Sequence, residues 1–165
     1  MTQTAGAIRV DEAQFRAVMG EVCSPVAVIT SAFDGAPHGT TVSAFASLSL
    51  EPAMVSVALD LNSSLLAMIR SSRRLGVNVL SEEQAELALR FARKGDDKFN
   101  GVEWEWDHGL PRLAETAGWL ACDATDLVVA GDHVLLISSV EHAAVAPSPP
   151  LAYHRRTFGT HSAYA

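Results

Sequence analysis

Cysteine is scarce in this chain, and the lack of any CxxC pair removes several kinds of chemistry at once. Only Cys23 and Cys122 occur among 165 residues, too far apart in sequence for a redox dithiol or a cysteine-rich zinc site. Two isolated thiols read as buried side chains of a protein kept in a reducing compartment, the cytoplasm. Positive charge is also short, because 12 Lys and Arg against 19 Asp and Glu leave a net charge of −7 with His neutral. With no basic tail and no cationic run longer than pairs such as Arg73-Arg74 and Arg155-Arg156, a nucleic-acid partner is not expected. No apolar stretch approaches bilayer length, and residues 1–12 lack the basic-then-apolar order of a secretory leader. Neither a membrane partner nor export is therefore expected.

The usual catalytic signatures are missing too. There is no GxGxxG and no P-loop for a nucleotide, no GxSxG nucleophile elbow, and no HExxH. The six histidines (His38, His108, His133, His142, His154 and His161) show no zinc-ligand spacing, so no metal is expected. No pair of carboxylates stands out for acid–base work. What these absences leave is chemistry carried by a cofactor. Repeats, low-complexity tracts and linkers are absent as well, which predicts one domain over residues 1–165, with flexible ends at 1–10 and 160–165. The hydrophobic share of 48% is high for a monomer of this size and fits either a second subunit or a ligand-lined barrel.

The most informative segment that is present runs from Gly39 to Leu50. Read with a period of two, its even positions (Val42, Ala44, Ala46, Leu48, Leu50) are apolar and suit a core. Its odd positions (Thr41, Ser43, Phe45, Ser47, Ser49) are short hydroxyls around one aromatic. An ordinary solvent face would carry long charged side chains. A charge-free hydroxyl face predicts that something flat and hydrogen-bonding lies against the backbone, with Phe45 or Leu48 as apolar partner. A strand whose hydroxyls merely satisfy one another inside a barrel would look the same.

Other elements frame this strand. Asp11 caps a helix with an apolar stripe of Phe15, Val18, Met19 and Val22. Val26 to Thr30 reads as a buried strand, Asp34-Gly35 as a hairpin turn, and Met54 to Leu59 as a third strand. Asn62-Ser63-Ser64 opens a short helix carrying Leu65, Leu66, Met68 and Ile69. Gly76 to Leu80 is another strand, and Ser81 to Gln84 is a capping box ahead of Leu87, Ala88, Phe91 and Ala92. Trp104 and Trp106 alternate with Glu103 and Glu105. Two long strands follow, near 118–129 and 133–145. Many strands with three short helices between them predict a small β-barrel with helical caps.

Three further segments carry chemical suggestions beside plainer ones. The start of the helix at Asn62-Ser63-Ser64 is either simple capping or a phosphate cradle, with Arg70, Arg73 or Arg74 adding charge. Gly131-Asp132-His133 is either a hairpin turn or a turn that aims His133 at a second substrate. Asp97-Lys98-Phe99 is either a solvated loop or a lid. A ring-binding strand and a phosphate-binding helix start together are what a mononucleotide requires.

With these segments in their order, the chain resembles the short-chain flavin reductases, the small partners of two-component flavin-dependent monooxygenases. The likeness runs from Phe15 to Gly159. It is carried by Pro25 to Thr30, Gly39 to Ser49, Asn62-Ser63-Ser64, Gly76 to Leu80, Asp97-Lys98-Phe99, Gly109 to Leu113, Gly131-Asp132-His133 and Leu151-Ala152-Tyr153. The overall match also looks close to reductases that serve hydroxylases of aromatic or steroid-derived phenols. The resemblance implies a mainly-β split barrel of the Greek-key, FMN-binding type, a homodimer, and FMN or FAD near the subunit interface. NADH or NADPH would be the hydride donor, and a separate oxygenase would receive the reduced flavin. By position, Thr41, Val42, Ser43, Ala44, Ser47, Leu48 and Ser49 would face the ring and ribityl chain. Asn62, Ser63 and Ser64 would approach the phosphate, Asn78, Val79 and Leu80 would lie along the site, and Lys98 and Phe99 would close over it. His133, the one residue given a catalytic place, and Tyr153 would receive the nicotinamide. Three positions depart from the pattern: Ser138-Ser139 stands where glycine is frequent, Glu51-Pro52-Ala53 where a double proline is usual, and Phe158 where tyrosine is common. A non-catalytic flavin carrier or redox sensor would present the same ring face. A barrel oxidase of a pyridoxine phosphate-type substrate would need basic phosphate ligands that this chain lacks.

Overall fold

The computed structural model describes residues 10–95 and 97–164; nearly all of the N-terminal end expected to be flexible, residues 1–9, lies outside the described residues. Helix α1 (Glu12–Gly20) is followed by a two-residue strand β1 (Ser24–Pro25), then by β2 (Ala27–Phe33) and β3 (Ala36–Val42). Strands β4 (Phe45–Leu50) and β5 (Ala53–Asp60) lead to α2 (Ser64–Ser72) and β6 (Arg74–Val79). The Ser81 capping box forms and opens a 3-10 turn, Glu82–Gln84, that runs into α3 (Ala85–Ala92). A hairpin of β7 (Trp104–Asp107) and β8 (Leu110–Leu113) precedes the long strands β9 (Gly118–Ala130) and β10 (His133–Val145). The short strand β11 (Ala152–His154) pairs with β1 on one side and with β12 (Thr157–Gly159) on the other, and Thr160 donates to the Pro150 carbonyl at 2.8 Å.

Seven strands form the main sheet in the order β3-β2-β6-β9-β10-β5-β4, each antiparallel to its neighbour. The two edge strands, β3 and β4, are consecutive in the chain. Ser43 and Ala44 link them, and the Ala44 carbonyl accepts from the Ala58 amide at 3.0 Å. The sheet thus closes on itself with a split between its edges, which is the mainly-β split barrel with short capping helices.

Burial explains the sequence pattern of β2. Ala27 and Ile29 belong to one core with Val57, Leu75 and Leu136, over which α2 lays Leu65, Leu66 and Ile69. Val26 and Val28 face a second core with Leu80, Ala88, Phe91 and Leu113. A strand covered on both faces needs no polar alternation, so it reads as one apolar run. Two glycines make the packing possible. A Cβ on Gly76 would stand 2.3 Å from Cη2 of the fully buried Trp119, and one on Gly39 would stand 3.0 Å from the Phe91 ring.

Three expectations are corrected. Residues 41–50 are not one strand: the break at Ser43-Ala44 shifts the alternation, so Phe45 turns to the core while Ala46, Leu48 and Leu50 face outward. Leu48 is 50% and Leu50 90% exposed, because β4 is a sheet edge. Cys23 is exposed, and only Cys122 is buried. The α1 stripe forms on a helix capped by Asp11 as expected, yet the helix buries none of its residues.

Candidate functional site

The split between the sheet edges opens into a cleft of about 280 Å³. Its walls are Thr40 to Ala44 from the β3 edge, Ala58 to Asp60 from the end of β5, Ser63 before α2, and His133 at the start of β10. Register alone brings the last of these in, since His133 pairs with Asp60 across the β10–β5 ladder. The Leu61 amide also donates to the Asp132 carbonyl at 3.0 Å, which ties the two turns together.

Each wall has a local cause. Strand β3 has a partner only in β2, so alternate backbone amides and carbonyls on its free side remain for a ligand. Ser43, Ala44 and Ala58 are small enough to let a flat group approach that backbone. The Thr41 hydroxyl is not available, because it donates to the Ala88 carbonyl of α3 at 2.7 Å. Ser63 is the N-cap residue of α2 in extended conformation, but its hydroxyl makes no capping bond. The amides of that first turn and a spare hydroxyl suit an anion. Asp60 shapes the turn by accepting from the Asn62 amide at 2.7 Å.

His133 is held by its own neighbour. Its Nδ1 lies 2.7 Å from Oδ1 of Asp132. That bond, with a further one to its own backbone, lowers the Asp132 carboxyl below its ordinary range. An ionised carboxylate only accepts, so Nδ1 carries the proton and Nε2 is the nitrogen left for a ligand. Among the described lining residues no Lys or Arg enters the cleft.

Thr41, Val42, Ser43, Ala44, Ser63 and His133 therefore meet in one place, as the sequence led one to expect. Other expected site residues lie elsewhere. Ser47, Leu48 and Ser49 sit on the opposite edge strand, outside the cleft. Asn62 is exposed beside it, and Ser64 shares a hydrogen bond with Nε2 of His38 at 2.8 Å. Asn78 is fully buried: its amide donates to the Val28 carbonyl at 3.1 Å and to Thr30 at 3.3 Å, and its oxygen accepts from the Leu113 amide at 2.7 Å. Val79 and Leu80 pack into the two cores. Lys98 is buried and donates to the carbonyls of Gly39 and Phe91, both at 3.0 Å, so it pins the loop to β3 and α3. Phe99 stands edge-on to Phe91 at 4.9 Å and to Trp104 at 5.4 Å.

The arginines near α2 do not reach Ser63. Arg70 and Arg73 lie at the C-terminal end of that helix, roughly 10 and 15 Å away at about 1.5 Å per residue. Arg74 instead bridges Asp123 at 3.1 Å and Glu141 at 2.9 Å. Tyr153 lines a second cleft of about 760 Å³ with Arg155, Arg156 and residues of α1, and Ser43 borders both clefts. Arg155 is tied there to Glu21 at 2.7 Å. Thr40, Ala58, Leu59 and Asp60 are lining residues that sequence reasoning did not place. The Asp60-x-Asn62 turn was the available signal.

Similarity to known proteins agrees with this geometry. Residues 19–162 match the model of the flavin reductase like domain family. The chain is 40% identical over 149 residues to the reductase component of a 4-nitrophenol 4-monooxygenase/4-nitrocatechol 2-monooxygenase of Rhodococcus opacus, covering 90% of this chain and 80% of that one. The flavin reductase PheA2 superposes with a TM-score of 0.86 at 32% identity, covering 93% of this chain and 99% of that one. The NADH:FAD oxidoreductase SgcE6 of Streptomyces globisporus, solved with NAD and FAD fragments, superposes with a TM-score of 0.87 at 26% identity, covering 92% of this chain and 93% of that one. On fold, on the elements that meet at the sheet split and on these likenesses, the chain belongs to the flavin reductase like domain family.

Proposed function

We propose that this chain is an NAD(P)H:flavin oxidoreductase that supplies reduced flavin to a separate monooxygenase, one that hydroxylates an aromatic substrate. The observation that carries this reading is the meeting of three features in one cleft: the small-residue edge at Thr41 to Ala44, the uncapped hydroxyl of Ser63, and His133. The residues fit a flavin. Ser43, Ala44 and Ala58 leave room for a flat ring against backbone that can hydrogen-bond it, and Ser63 with the α2 amides suits its phosphate.

Held by the β3 edge and by Ser63 with the α2 amides, FMN or FAD would supply the hydride-accepting chemistry, with NADH or NADPH as donor. The protein's own task is binding and alignment, since no nucleophile or general base is required. The β3 edge and Ala44 orient the ring, and Ser63 anchors the other end. His133, oriented by Asp132, offers Nε2 to the nicotinamide half of the donor. Tyr153 is reached from the cleft through Ser43 and borders the space for the rest of that nucleotide. Holding two flat groups in contact and away from water converts an encounter into an oriented reaction. A grip made of backbone and small hydroxyls, with no cationic side chain among the lining residues, is one that can release its flavin to an oxygenase.

A homodimer belongs to the same proposal. Helix α1 exposes Phe15, Val18 and Met19 at 53%, 65% and 48%, and the β4 edge exposes Leu48 and Leu50. Apolar surface of that extent calls for a partner, and light scattering on the purified chain measures it. No helix among the described residues is long and apolar enough to cross a membrane. The two unpaired cysteines support a reducing, cytoplasmic setting.

The test follows NADH and NADPH oxidation by the flavin-stripped protein, with and without FMN or FAD. Oxidation only when flavin is supplied is the expected result. Flavin binding without oxidation of either nucleotide would instead make the chain a carrier.

A further inference from the structure

The β7–β8 hairpin presents Asp107 and His108 at its turn, and the far end of β10 brings His142 against them. One ligand atom from each of the three lies within 4.8 Å of the other two. The two imidazoles stack with centroids 4.2 Å apart and planes 21° apart. Nδ1 of His108 is 2.6 Å from Oδ1 of Asp107, and Arg112 donates to Oδ2 at 2.8 Å. Among the described residues nothing hydrogen-bonds a ring nitrogen of His142. His142 is half-buried and His108 open to solvent.

We propose that Asp107, His108 and His142 form a binding site for a divalent first-row transition ion of the zinc type. Two imidazole nitrogens and one carboxylate oxygen are the donors such ions prefer, whereas calcium and magnesium require oxygen almost throughout. Ligand atoms around tetrahedral zinc sit about 3.3 Å apart at bonds of about 2.0–2.1 Å. A separation within 4.8 Å leaves about 1.5 Å at most to close to that value, a span that side-chain rotation covers. When the ion takes Nδ1 of His108, the proton that bonded Asp107 passes through solvent to Nε2, so the ring stays a neutral ligand. Arg112 keeps the second carboxylate oxygen, so it orients the ligand as outer-sphere partners of metal sites do. The open side at His108 leaves a fourth position for water.

The site is remote from the cleft within the chain. His142 stands nine positions beyond His133 along β10, about 30 Å at a strand rise of about 3.3 Å per residue. The ion clamps the hairpin to β10 and takes no part in hydride transfer. The sequence hid this constellation because its histidines are 34 residues apart (142 − 108) and only the docking of the hairpin on β10 joins them.

Zinc chloride titrated into the chelator-treated full chain, against a chromophoric competitor at neutral pH, reads the stoichiometry and affinity. One zinc per chain is expected. His142→Ala and Asp107→Asn, on different elements, should each weaken it at least tenfold, while His154→Ala leaves it unchanged. Zinc at roughly a hundredfold excess over its dissociation constant should raise the wild-type Tm by about 5–10 °C and leave that of His142→Ala in place. Circular dichroism and metal-free, flavin-dependent NADH oxidation report whether each variant is folded, and Asp107→Asn decides if His142→Ala is not. No saturable zinc binding, or binding by folded His142→Ala or Asp107→Asn equal to wild type, would overturn the proposal.

Discussion

The carboxylate of Asp132 holds Nδ1 of its sequence neighbour His133 at 2.7 Å, at the point where β10 leaves its turn and enters the cleft wall. The bond selects the tautomer and turns a flexible side chain into an oriented one. Replacing His133 with Ala should raise KM for NADH or NADPH roughly tenfold, the worth of about one good hydrogen bond, and leave KM for flavin nearly unchanged. Asp132→Asn, which keeps the ring but loosens it, should have a smaller effect in the same direction. Steady-state kinetics with each nucleotide varied separately checks both, and unchanged constants in His133→Ala would remove that residue from the nicotinamide contact.

Ser63 offers a more selective test, because phosphate is the group it is proposed to meet. Ser63→Ala should raise KM for FMN by roughly tenfold, as expected for a lost bond to a charged oxygen. Riboflavin, which has the ring and no phosphate, should be used equally well by variant and wild type. Equal losses with both flavins would place Ser63 at the ring or make its role one of folding.

Asn78 looks like a ligand in the sequence and behaves as a strut in the fold. Its side chain joins β2, β6 and the end of β8, while the neighbouring Thr30 hydroxyl donates to the Pro111 carbonyl at 2.7 Å. Asn78→Ala strands the Leu113 amide in the interior and removes the side-chain tie to β2. The expected loss is about 3 kcal/mol in urea unfolding, with little change in KM for flavin among molecules that remain folded.

The two cysteines should part company under a thiol reagent, with Cys23 reacting at once and Cys122 only on unfolding. Burial, with smaller contributions from Asp123 and Glu141, pushes the Cys122 thiol up from 9.0 to about 12. Its proton is lost more easily from the unfolded chain, so the stabilising difference is whole below about pH 9 and is given up as pH climbs toward 12. Cys122→Ala should flatten the fall of Tm across that alkaline window relative to wild type.

Gly76→Ala should be poorly tolerated, since the new methyl would meet the Trp119 ring at 2.3 Å and the Thr30 hydroxyl at 2.5 Å. A cost of about 3 kcal/mol or more is expected from overpacking a ring that has no room to move. Thermal unfolding followed by tryptophan fluorescence measures it.

Local signals carried much of this fold. The Asp11 cap, the Asp34-Gly35 turn, the Ser81 capping box and the two long strands all formed where their residues directed, because caps, turns and apolar runs act over three or four neighbours. The order of motifs pointed to the family, and with it to Thr41 through Ala44, Ser63 and His133. Periodicity failed at Ser43-Ala44, where the chain leaves one sheet edge for the other and the alternation restarts, so that Phe45 is covered and Leu48 is not. It also made no distinction between an asparagine that faces a ligand and one, like Asn78, whose polar atoms are spent on two other strands.

The sequence by itself determined the strand content, the helix starts, and which short residues could border a flat ligand, since those depend on neighbours along the chain. Tertiary structure alone decided that Asp60 and His133 share a wall, that Lys98 pins a loop, and that His108 meets His142. Each of these pairings depends on strand register or on docking between elements far apart in sequence, which no local pattern encodes.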